Sequence, residues 1–66
     1  MIIYKLMYDY KGTQYTSSRW TRNYWKASKK AMNNANAGTT CTLLVLKREN
    51  KSEILIDTVT FEGIKQ

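Results

Sequence analysis

Between Arg19 and about Asn36 the apolar residues of this chain recur with a helical period, and on both sides of that stretch the period is two. This change of period is what most constrains the fold, because one helix must then supply the cover for every strand. At 100° per residue, Trp20, Tyr24, Ala27, Ala31 and Ala35 fall within an arc of about 80°, the width of a stripe packed on a sheet. Ser17 or Ser18 is the expected N-cap. Gly38 suits the left-handed position after the last turn. Upstream, Ile2, Tyr4, Leu6, Tyr8 and Tyr10 alternate with other residues. Lys11-Gly12 reads as a two-residue turn, and Thr13 to Ser17 returns with Tyr15 opposite Tyr8. Downstream, Thr39 to Arg48 and Glu53 to Glu62 are β-branched and aliphatic, with Glu49-Asn50-Lys51-Ser52 as the turn between them. The expected fold is α+β, in the order ββαββ: a four-stranded antiparallel sheet with one amphipathic helix on one face, spanning residues 1–66 as one domain.

With Arg48 opposite Glu53, an uninterrupted register places Leu44, Leu46, Leu55, Val59 and Phe61 on one face of the second hairpin. Leu43, Val45, Ile54 and Ile56 then take the other. A single helix covers one face only, so the second apolar face is expected to meet a partner, as in a homodimer, or else to be hidden by twist and register.

The residue types narrow the chemistry. Histidine is absent and Cys41 is the only cysteine. This excludes Ser-His and Cys-His catalysis, an internal disulfide and the usual two-His metal site. The three glycines form no phosphate-cradling loop, and Cys41 in an apolar strand reads as a small buried hydrophobe. No enzymatic activity, metal or cofactor is expected. No signal peptide pattern or membrane-length apolar run appears, so the expected location is cytoplasmic.

Charge is where the sequence speaks of function. The net charge is +6, and all of it lies in residues 1–33, where seven cations face Asp9 alone; residues 34–66 balance four cations against four carboxylates. Such asymmetry points to an acidic partner. On the helical wheel Arg19, Arg22, Lys26, Lys29 and Lys30 fall within about 100° of one another. Arg19 and Arg22 in or near a first turn oppose the macrodipole by about 0.3–1 kcal/mol each. The i,i+4 pairs Arg22–Lys26 and Lys26–Lys30 cost about 0.2–0.5 kcal/mol each. A local rule broken without local compensation marks a candidate binding face. Trp25 and Met32 sit at the edge of the apolar arc, either capping the core or, for Trp25, anchoring an interface rim. Lys47, Arg48 and Lys51 around the second turn form a secondary cluster diluted by Glu49 and Glu53. Tyr4, Tyr8, Tyr10 and Tyr15 are expected as core beneath the helix; were their side open, the spacing would suit a platform for stacking bases.

The stretch Trp25-Lys26-Ala27-Ser28-Lys29-Lys30-Ala31, followed by Gly38-Thr39-Thr40 and the Leu43–Leu46 strand, resembles small phage-encoded anti-defence proteins. In some anti-CRISPR inhibitors of type I complexes a basic helix with Ala-x3-Ala spacing leads into a Gly-Thr-started hairpin. The likeness covers about residues 24–56. It implies a stoichiometric inhibitor in the host cytoplasm, docking on a nucleic-acid-handling complex through Arg22, Lys26, Lys29 and Lys30. The residues alone leave three readings open: such an inhibitor, with a host protein or nucleoprotein partner and only weak, non-specific nucleic-acid binding of its own; a small DNA- or RNA-binding regulator; or an antitoxin-like or structural subunit that uses the second sheet face.

Overall fold

The computed structural model describes residues 1–62, in the order β1 (Ile2–Tyr10), β2 (Thr13–Thr16), α1 (Tyr24–Asn36), β3 (Thr40–Glu49) and β4 (Ser52–Phe61). The strands form one antiparallel sheet in the order β2-β1-β3-β4, so the two hairpins meet along β1 and β3. The expected ββαββ arrangement is therefore the observed one.

Both hairpins close through left-handed residue pairs. Lys11 and Gly12 have φ of 51° and 80°, and Asn50 and Lys51 have φ of 48° and 68°. These positive values match the right-handed twist of the strands they join. Tyr8 pairs with Tyr15 and Arg48 with Glu53, as expected. Gly38 takes φ 97° just past the helix and donates its N–H to the Ala35 carbonyl at 3.0 Å.

The helix begins five residues later than its apolar stripe suggested. Asn23 is the N-cap, its Oδ1 accepting from the Lys26 N–H at 3.2 Å. Ser17 serves the chain locally instead: its hydroxyl accepts from the Arg19 N–H at 3.2 Å. Residues 17–21 continue along the free edge of β1, with the Ser17 N–H donating to Leu6 and the Thr21 N–H and carbonyl both bonded to Tyr4. These edge bonds satisfy backbone groups that a helix would have satisfied internally, so the segment is a strap rather than a first turn. Arg19, Trp20 and Arg22 thus precede the helix. Trp20 does not share the helical stripe; it is 40% exposed, with the Arg48 guanidinium 4.9 Å from its ring centroid.

Ala27, Ala31 and Ala35 are buried against the sheet, and Leu6, Cys41 and Leu43 form the floor beneath, flanked by Tyr4, Tyr8, Val45, Val59 and Phe61. Small alanines bring the helix backbone close to the strands, so a thin domain still excludes water from Leu43 and Cys41.

The uninterrupted register expected for the second hairpin does not hold. Leu46 pairs with Leu55, but Val45 pairs with Asp57, so Ile56 is an extra residue in a β-bulge. A one-residue shift moves all later side chains to the opposite face. Val59 and Phe61 therefore lie opposite Leu43 and Cys41 in the helix-covered core, not with Leu44 and Leu46. On the face away from the helix, Ile3 and Leu46 are nonetheless buried. Lys5 and Glu53 pair on this side at 2.6 Å, and Arg48 meets Trp20 there. Ile54, Leu55 and Ile56 around the bulge stay exposed on edge strand β4. Among the described residues no helix is long and apolar enough to cross a membrane.

A cationic groove between helix and strap

The helix sits off-centre on its sheet. It packs on β3, β1 and β4 but does not reach β2, which leaves the β1–β2 side of the helix face open. There, between the helix and the 17–21 strap, lies an open groove of about 210 Å³. Leu6, Tyr4 and Ala27 form its apolar floor, and Ser17 and Thr21 add hydroxyl-bearing residues. Arg19, Lys26 and Lys30 supply the cations, the first from the strap and the others from successive turns of the helix.

None of these three cations has a salt-bridge partner among the described residues, where the two ion pairs are Lys5–Glu53 and Lys47–Glu49. Asp9, the single carboxylate of residues 1–33, points to the opposite face by strand alternation from Tyr8. Lys26 occupies the first helical turn, which contains no acidic residue, so the macrodipole opposes it by about 0.3–1 kcal/mol. Lys26 and Lys30 repel one turn apart at a cost of about 0.2–0.5 kcal/mol. The Arg22–Lys26 repulsion expected from the sequence has no helical basis, since Arg22 precedes the cap.

The five first-half candidates separate into two sets. Arg19, Lys26 and Lys30 converge on the groove; Arg22 and Lys29 are exposed but do not line it. Trp25 is 79% exposed and meets Tyr24 edge-to-face at 5.7 Å, while Tyr24 meets Tyr4 in the same way at 5.5 Å. Tyr24, expected within the buried stripe, is itself exposed and touches the core only through Tyr4. In the secondary cluster, Lys47 pairs with Glu49 at 3.4 Å and Arg48 lies over Trp20, with Lys51 in the turn between the strands. Lys47 and Arg48 are adjacent in a strand and so face opposite sides.

The tyrosines also divide. Tyr4 and Tyr8 pack against the core, as expected, but Tyr10 and Tyr15 are 52% and 53% exposed on the same side of the sheet. Sequence reasoning missed the strap hydroxyls at Ser17 and Thr21, and its expectation that all four tyrosines are core fails at Tyr10 and Tyr15, whose rings are open. The N-cap Asn23 was the signal that would have placed the strap outside the helix.

Beneath the helix, burial pushes the Cys41 thiol above its ordinary value, partly offset by the Lys30 charge. Burial also raises the Tyr8 hydroxyl; the Cys41 charge adds to this and the Asn34 side chain opposes it. Both groups stay protonated at neutral pH, which suits a packed core rather than a nucleophile. No group of three His, Cys, Asp or Glu among the described residues is placed to hold a metal.

No family model, curated protein or solved structure matches this chain.

Proposed function

We propose that this protein is a non-catalytic binding protein that attaches through the Arg19–Lys26–Lys30 groove to a polyanionic partner, a nucleic acid held alone or within a nucleoprotein complex. The observation that carries this reading is the convergence of three unpaired cations from two separate elements on one groove, at a cost to the helix that nothing local offsets. A face needed only for solubility gains nothing from collecting charge of one sign. A phosphate chain offers compensation along its whole length, and release of its counterions drives the association.

Docking on a nucleic-acid-handling complex as an inhibitor is a second form of the same reading, and Trp25 favours it. An exposed tryptophan beside Lys29 has the composition of an interface anchor.

Heparin-column retention and salt-dependent oligonucleotide binding test the proposal. Lys26→Glu with Lys30→Glu should abolish retention while leaving the melting temperature equal or higher, because an acid in the first turn favours the macrodipole. Lys29→Glu alone should have a much smaller effect. For the unaltered protein, log K against log salt should fall with a slope of about −3 on duplex DNA, as three phosphate contacts at the groove cations require. Unchanged retention in the double variant contradicts the proposal. Trp25→Ala should leave retention intact and weaken only the docking on a complex.

A further inference from the structure

The open side of the sheet continues the groove. Tyr15, Tyr8, Cys41 and Phe61 stand in one row across the four strands, all on the helix side. The Lys30 charge acts on Cys41 from above that row. Two positions along the same row, on edge strand β2, the ring of Tyr15 lies open where the helix does not reach. Tyr10 projects to the same side two residues beyond Tyr8, with the Lys11 ammonium 5.3 Å from its ring centroid. From Tyr10 to Tyr4, at the far end of the groove, β1 runs about 20 Å. Along this path the groove cations Arg19, Lys26 and Lys30 lie toward the Tyr4–Leu6 end, and the exposed rings of Tyr10 and Tyr15 lie toward the other.

Resting on the polyanion reading above, we propose that the ligand of this face is single-stranded nucleic acid, its phosphates along Arg19, Lys26 and Lys30 and its bases stacked on Tyr15 and Tyr10. A polyanion without bases uses only the cations and leaves two apolar rings in water. Duplex DNA presents phosphates but keeps its bases inside the stack. A single strand supplies both surfaces, and an aromatic ring accepts any base, so the binding is strong without being sequence-specific. At the rise of a stacked strand, about 3.4 Å per nucleotide, 20 Å accommodates roughly four to six nucleotides.

The experiment compares a twelve-nucleotide oligothymidylate, a duplex of equal length and heparin as ligands, by fluorescence anisotropy and competition at low salt. The unaltered protein should prefer the single strand to the duplex. Tyr10→Leu with Tyr15→Leu keeps the apolar area but removes the stacking surface. It should lower oligothymidylate affinity at least tenfold and heparin affinity less than twofold. Tyr10→Phe with Tyr15→Phe keeps the rings and should bind like the unaltered protein. If the leucine variant fails to fold, the Tyr15 ring protons of the unaltered protein give the answer. They should shift on addition of oligothymidylate and not of heparin. Equal loss toward both ligands, no loss toward either, or unmoved ring protons overturns the single-strand proposal. Binding to heparin but not to oligothymidylate overturns it while leaving the polyanion reading in place; binding to neither ligand overturns both.

Discussion

The two hairpins share a sheet but differ in every property that bears on function. β1–β2 is short on its edge side and tyrosine-rich, it runs on into the cationic strap and helix, and the helix leaves β2 bare. β3–β4 is long, charge-balanced and aliphatic, and it carries the buried Cys41 and Leu43 together with Val59 and Phe61. The difference shows how a chain of 66 residues divides its work. A domain this small buries only about 60% of the surface its unfolded chain exposes, so it cannot surround a ligand. It can concentrate its core on the two central strands, where β1 holds Ile3 and Leu6 and β3 holds Cys41 and Leu43, and leave β2 open as a contact surface.

Loss of a core side chain from β3 is the severest test of this contrast. Leu43→Ala removes a fully buried side chain and should cost about 2–5 kcal/mol. That is most of the stability expected of so small a domain, so the variant should be largely unfolded by circular dichroism at room temperature. The paired leucine substitutions at Tyr10 and Tyr15 should shift the melt only slightly. A Leu43→Ala protein that melts near the unaltered one would mean that the core is not where the packing places it.

The next effect is smaller and depends on pH. Cys41 and Tyr8 both hold their protons more tightly in the folded protein than in the unfolded chain. Between the unfolded and folded values the native state binds more protons, so stability is full below the ordinary thiol range and falls as pH rises through it. Melting temperature should therefore decline from about pH 9 upward, and Cys41→Ala should soften that decline despite its own constant packing cost. An equally steep alkaline limb in the variant would remove Cys41 as its source. Below that range the thiol should react with maleimide only as fast as the domain opens.

Much of this division was legible in the sequence, for reasons that attach to single residues. Lys11-Gly12 and Gly38 sit where backbone sterics favour left-handed conformations, and the Tyr8–Tyr15 pair follows from the turn length. The alanine stripe from Ala27 to Ala35 is helical at any plausible boundary. The helix start was not legible from periodicity, because Trp20 falls within the apolar arc by coincidence of spacing while the cap at Asn23 breaks the helix before it. The bulge at Ile56 falls within Ile54-Leu55-Ile56, where three consecutive apolar residues hide which face each takes, and it reverses the faces of everything after it. Of the candidate site, the cations were legible as a group; their partition into groove and non-groove sets was not, since it depends on the strap that carries Arg19 back along β1.

The most direct test of the whole account is to map the ligand surface residue by residue. In a two-dimensional amide NMR titration with oligothymidylate at low salt, shifts should concentrate in Ser17 to Thr21, in Lys26 to Lys30 and in the β1–β2 hairpin around Tyr10 and Tyr15, with β4 unmoved. Shifts confined to the β3–β4 hairpin, or centred on Ile54 to Ile56, would contradict the assignment of binding to the first hairpin and the groove beside it.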